Sequence, residues 1–148
     1  FTVVRNPFDR VVSEFWCKWG GSGRPRHVNA SNFNAFIAER LKTDDAGNLR
    51  RPRHLGHYVP QTKYLSLLNL GPDIVLRVLR FEHLARDFAH LLRLSGLPNV
   101  DLPLVNKNRR PFNVSHLTLD TAALIRRVYR SDFEVFGYST KIEHALMR

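Results

Sequence analysis

Three polar residues, Arg5, Arg10 and Ser13, punctuate the opening stretch FTVVRNPFDRVVSEF, and their types and spacing suit phosphate chemistry. A guanidinium offers a planar fork of donors that matches phosphate oxygens, and a serine hydroxyl adds one more donor. The apolar run TVVR reads as a short strand, so Arg5 would stand at the carboxyl edge of a sheet, where open α/β folds bind their ligands. On a helical wheel Arg10 and Ser13 lie together opposite Phe8, Val12 and Phe15, which puts Ser13 on the wet face. On spacing alone a plainer reading is favoured. Arg5 would pair with Asp9 or Glu14, and Ser13 would be a solvated helix residue.

The other candidates for chemistry are scattered. His57 precedes a Pro-Gln step at 60–61 and could hold an acceptor or serve as a base, or it could simply be solvated. His27 and His54 sit in basic loops with weaker claims. Glu82 follows the second apolar strand, where a structural pairing with an arginine is the expected role. Cys17 is the single cysteine, so no internal disulfide framework exists. With no second cysteine and no histidine at ligand spacing, no metal site is expected.

These residues need elements to position them. Asn6 is a good helix cap, Pro7 fits the first helical position, and Asp9 complements the positive end of the dipole. Phe8, Val11, Val12, Phe15, Trp16 and Trp19 then recur at helical spacing as one apolar stripe, with GGSG at 20–23 expected to end the helix. A second helix is predicted from about Asn32, burying Phe33, Phe36, Ile37 and Leu41. A third is predicted near Pro60, with Tyr64, Leu65, Leu67 and Leu68. After a GPD turn at 71–73, IVLRVLRF at 74–81 reads as the second strand. A helix over 84–95 is stopped by Gly96, a loop spans 97–116, and the last helices run over 119–136, with Phe133, Phe136 and Tyr138 in the core.

Strands alternating with helices predict an α/β class with a parallel sheet. Two strands are few for such a sheet, and the chain begins with phenylalanine inside an apolar strand, so further strands are expected upstream. The net charge of +10 calls for an anionic partner, without choosing between a nucleotide, a sugar polymer, nucleic acid and a membrane surface. No apolar run approaches the roughly 20 residues of a membrane span. Two glycosylation-type tripeptides begin at Asn29 and Asn113 and are discounted as chance.

At VVRNPFDRVVSEF a family resemblance enters. The pattern Arg-x-Pro-x-x-Arg-x-x-Ser after a strand resembles the segment of sulfotransferases that grips the 3′-phosphate of 3′-phosphoadenosine 5′-phosphosulfate (PAPS). HYVPQ at 57–61, VLRFEHLARDF at 78–88 and RRVYRSDFEVFGY at 126–138 resemble the carbohydrate-type branch of that superfamily in the same order. The resemblance implies a P-loop-NTPase-like sulfotransferase fold, a parallel sheet flanked by helices. Residues 1–148 would be the C-terminal portion of one such domain, mostly helical, with its N-terminal part missing. By position, Arg5 and Ser13 would hold the 3′-phosphate. NKNRR at 106–110 resembles the late segment that closes over the nucleotide, making Lys107, Arg109 and Arg110 candidates for further contacts. Their alternative is a solvated basic loop.

The implied reaction moves a sulfuryl group from PAPS to a carbohydrate or other hydroxyl, with no metal and no nucleic acid. Arginine-rich stretches at 24–27 and 50–54 would suit an anionic glycan. The loop that cradles the 5′-phosphosulfate in this family is not found in the sequence. Residues 1–148 alone are therefore expected to hold half of the donor site and not to transfer sulfate. Expected location is the cytoplasm in a bacterium, slightly favoured by the single cysteine, or the Golgi lumen in a eukaryote. Peripheral membrane association would follow from an upstream anchor. The competing reading is a non-catalytic basic module that binds nucleic acid or another polyanion, although no nucleic-acid-binding signature is present.

Overall fold

A computed structural model describes residues 1–44, 55–67, 76–103 and 110–145. Contacts gather the chain into two units, Phe1–Arg5 with Asn69–Arg109, and Asn6–Leu68 with Arg110–Arg148.

The smaller unit is α/β with the expected parallel pairing. Strand β1 (Thr2–Val4) runs alongside β2 (Val78–Arg80), with Thr2 opposite Val78 and Val4 opposite Arg80. The second strand is shorter than its apolar pattern suggested. Residues 74 and 75 lie outside the described residues, and Phe81 already opens a 3-10 turn that ends at His83. Helix α5, Leu84–Leu94, follows closely the span expected for it. Gly96 ends it with φ of 67°, a left-handed conformation that a side chain would strain. Asp87 fastens this helix to the strand. Its Oδ2 accepts from the Arg80 backbone N–H at 3.1 Å, and Oδ1 accepts from Nε and a terminal nitrogen of Arg86 at 3.0 and 2.9 Å. Burial alone would raise the Asp87 carboxyl's pKa. The Arg80 N–H and the Arg86 guanidinium outweigh it and hold the group below the ordinary carboxylate range.

The larger unit is helical. Helix α1 spans Pro7–Trp16 and begins as its sequence dictates. Asn6 accepts from the Phe8 backbone N–H at 3.0 Å, and Pro7 occupies the first turn, where no N–H is needed. Asn6→Ala should cost about 1 kcal/mol of stability, measured by urea denaturation. A loss under a few tenths would mean that the cap is dispensable.

The remaining helices are α2 (Ala30–Arg40), α3 (Leu55–Tyr58), α4 (Gln61–Leu67), α6 (Leu119–Val128) and α7 (Arg130–Val135). Helix α2 begins two residues before the expected Asn32, because Asn29 caps it and Asn32 returns the bond to the Asn29 N–H. Asn113 likewise caps the short turn Val114–His116, so both asparagines of the discounted tripeptides are caps. The core is built from Phe8, Val11, Val12 and Phe15 on α1, Phe33 and Ile37 on α2, Ile125 on α6 and Phe133 on α7. Phe15 lies at its centre, meeting Trp16, Phe33 and Phe36 edge-on at 4.9, 4.8 and 5.2 Å between ring centroids. Phe133 and Phe136 are buried and Tyr138 packs against the same core, as expected.

Two expectations for α1 fail. Trp19 is 64 % exposed, not core. The helix stops at Trp16, four residues before the glycines, because Cys17 adopts extended φ and ψ of −66° and 144°. Helical periodicity no longer governs Trp19. Arg10, expected on the wet face with Ser13, is buried. Its long side chain curls back into the unit instead of reaching outward. The helix predicted near Pro60 is α4, in which Tyr64 is 40 % exposed, and Leu68 lies outside the described residues.

Among the described residues no helix is long and apolar enough to cross a membrane.

Candidate functional site

Helix α1 is the scaffold of the site. Ser13 is half-buried, and its Oγ accepts a hydrogen bond from a terminal nitrogen of Arg110 at 3.2 Å. These two residues are 97 positions apart. The link that brings them together is local to Phe112. Trp16, one turn along α1 from Ser13, donates Nε1–H to the Phe112 carbonyl at 2.9 Å. The Phe112 ring stacks on Phe33, with centroids 5.5 Å apart. The chain is thus pinned two residues beyond Arg110, and the guanidinium is laid across the helix at Ser13. The serine keeps its own proton. A hydroxyl oxygen that accepts from arginine can still donate O–H to an anion, so both groups can address one phosphate.

Arg5 belongs to the strand unit. There its guanidinium lies over the Phe81 ring, 4.1 Å from the centroid. Such stacking is a cation–π contact between the guanidinium and the ring face. Lys107 and Arg109 lie outside the described residues, as do His54 and the arginines at 50–53. In the other arginine-rich stretch, Arg24 is tied down. It donates to the Phe15 and Cys17 carbonyls at 3.2 and 3.4 Å and sits over the Trp16 ring.

His57, on α3, is held at two points by α1. Glu14 Oε2 meets its Nδ1 at 2.8 Å, and Arg10 donates to its carbonyl at 2.9 Å. Arg10 crosses the Tyr129 ring on the way, with 5.8 Å between the guanidinium carbon and the centroid. Its other terminal nitrogen has no hydrogen-bond partner among the described residues. The neighbouring phenols are neutral. Burial first, and then the carboxylate of Glu14, push Tyr58 far above the ordinary range, and burial does the same for Tyr129. Both act as donors, Tyr58 to the Gly20 carbonyl at 3.2 Å and Tyr129 to the Tyr58 carbonyl at 2.7 Å.

Within the helical unit, capped helix α1 sets Ser13 against Arg110, a hydroxyl and a guanidinium of the kinds that can bind an anion. The sulfotransferase family model matches residues 1–139. The chain belongs to the sulfotransferase family. No curated protein and no solved structure matches it. Membership makes the chain a sulfuryl-transfer protein, a transferase by class, and it accounts for a mixed α/β fold with a small parallel sheet.

Two pairings in this sulfotransferase-family chain were not visible in the sequence. Glu14 was weighed only as a partner for Arg5, whereas its carboxylate faces His57. Arg10 serves the His57 backbone instead of a ligand surface. The one available signal was helical spacing. Glu14 lies one turn beyond Arg10, so residues on one face of α1 could share a partner.

Proposed function

We propose that the chain takes part in moving a sulfuryl group from PAPS to a hydroxyl of a carbohydrate, and that Arg5, Ser13 and Arg110 hold the donor's 3′-phosphate. The observation that carries this reading is the bond between Arg110 and Ser13. Both residues suit the same phosphate on separate grounds, and the fold puts them in contact. Lys107 and Arg109 would add contacts from the same segment.

Sulfuryl transfer, like phosphoryl transfer, proceeds in line between two oxygens, and the protein contributes position and charge more than covalent chemistry. Gripping the 3′-phosphate fixes the nucleotide so that the sulfate is presented along one line to the acceptor. Such a grip is equal in the ground and transition states, so it sets affinity and alignment but not the chemical barrier. A net charge of +10 supports an anionic glycan as the acceptor. His57, whose Nδ1 faces Glu14 Oε2 at 2.8 Å, stays the candidate for the acceptor's proton or for holding the acceptor.

Calorimetry with adenosine 3′,5′-bisphosphate and AMP tests the assignment. The bisphosphate should bind more tightly. Arg5→Ala and Arg110→Ala should each remove about 1.5–3 kcal/mol, roughly ten- to a hundredfold in affinity, from the bisphosphate alone. Equal affinity for the two nucleotides would sink the reading.

A further inference from the structure

Glu14, Cys17 and His57 bring a carboxylate oxygen, a thiol sulfur and an imidazole nitrogen within 4.8 Å of one another. Among the described residues this is the one such group, and all three side chains are half-buried. We propose that these three residues form a binding site for a divalent transition metal of the zinc class, with a fourth position left to water or another ligand.

The chemistry of the donor set selects the metal. Thiolate and imidazole favour zinc, cobalt or copper over magnesium and calcium, which prefer oxygen ligands alone. Three protein ligands and one open position make a common catalytic-type zinc arrangement. Around a tetrahedral zinc, with bonds of about 2.0–2.3 Å, ligand atoms lie roughly 3.3–3.7 Å apart. Atoms 4.8 Å apart must close by roughly 1.1–1.5 Å to reach that spacing, a distance on the scale of side-chain rotation.

The local fold supports that closure. Glu14 lies in the last turn of α1, and Cys17 follows three positions on with its N–H still bonded to the Ser13 and Glu14 carbonyls. Two ligands are thereby carried by one rigid segment. His57 arrives from 43 positions beyond Glu14, and Arg10 fixes its backbone carbonyl at 2.9 Å. The chain then passes so close to the carboxylate that a side chain would not fit. A Cβ on Gly20 would lie 2.7 Å from Glu14 Oε2, and one on Gly21 would lie 2.8 Å from the Cys17 carbonyl. Bare backbone leaves the room that the ligands need.

Charge and protons balance. Binding would release the thiol proton of Cys17, shift the imidazole proton of His57 from Nδ1 to Nε2, and break the 2.8 Å bond between Glu14 and His57, replacing it with two bonds to the metal. A dication with one thiolate, one carboxylate and a neutral imidazole carries no net charge. That neutrality matters beside Arg10, whose guanidinium would repel an uncompensated cation. The sequence concealed the site because no histidine follows Cys17 at ligand spacing within one element. Metal binding here is also independent of the grip on the 3′-phosphate, since neither Ser13 nor Arg110 takes part.

Cobalt(II) is the probe. The chain, stripped with chelator, should bind one equivalent and develop a near-ultraviolet thiolate-to-cobalt band with the visible absorption of a tetrahedral ion. Cys17→Ser should abolish the charge-transfer band. Glu14→Gln and His57→Ala should each weaken affinity by more than about 100-fold, the upper end of what losing an outer partner costs. Circular dichroism confirms that each variant is folded, and Glu14→Gln preserves volume should His57→Ala unfold the chain. No band in the parent chain would overturn the site. A band of undiminished affinity in Glu14→Gln would also overturn it, by showing a lone-thiol adduct.

Discussion

Phe15→Ala should destabilise this chain by roughly 3–5 kcal/mol, lowering its thermal midpoint by about 6–20 °C. Phe15 is fully buried, and three other aromatic rings press their edges or faces on it. Truncation removes the transfer energy of the ring and opens a cavity that neither Phe33 on α2 nor Trp16 on the same helix can fill without leaving its own contacts. Trp16 also cannot swing inward, because its Nε1 is committed to the Phe112 carbonyl. Trp19→Ala serves as the control. Although Trp19 belongs to the same sequence stripe, it is exposed, and its loss should stay within about 0.5 kcal/mol. Equal midpoints for the two variants would refute the placement of the helix end at Trp16.

Asp132→Ala should be comparably damaging, for a different reason. The side chain is completely buried on α7 and receives the start of α4. Its Oδ2 accepts from the Gln61 backbone N–H at 2.7 Å and its Oδ1 from the Thr62 N–H and hydroxyl, both at 2.9 Å. Removing the carboxylate strands two backbone donors at a helix start, each worth about 1–3 kcal/mol when left unsatisfied. The total is about 2–6 kcal/mol. Asp132→Asn keeps an acceptor oxygen and the volume, so it should fall between the parent and the alanine variant in urea denaturation. An alanine variant as stable as the parent would show that α4 is capped by something else.

The aspartate also shows where reading the sequence stops. Asn6-Pro7 before α1 and Ser95-Gly96 after α5 are local signals, and the elements they bound appear where those signals put them. Helices α6 and α7 fall within the predicted 119–136. What stays hidden are side chains whose partners lie far along the chain. Asn34, buried in α2, donates to the His116 carbonyl at 2.8 Å and accepts from the Thr118 N–H at 2.9 Å. Nothing in its neighbours announces that. A helical wheel sorts wet from dry using one helix alone, so it could not see that Arg10 has the His57 carbonyl within reach. For the site, the outcome divides along the same line. In the sequence Arg5, Ser13 and Arg110 could be singled out only as candidates for holding an anion. The contact between Ser13 and Arg110 depends on Trp16 and Phe112, and neither was read as its cause.

The pairing of Thr2 with Val78 has a consequence for how the chain comes to be made. In synthesis β2 follows β1 only after every residue of the first four helices has been added. Closing a loop of that length carries an entropic cost about 2 kcal/mol above that of a hairpin turn. Three residues of strand on each side return little against it until α5 docks through Asp87. Until then the edge of Thr2–Val4 that faces β2 stays unpaired in a nascent chain, open to pairing with another copy emerging nearby. The order of translation thus makes the parallel pair a late event, and the arginine that follows β1 takes its seat over Phe81 only once that event is complete.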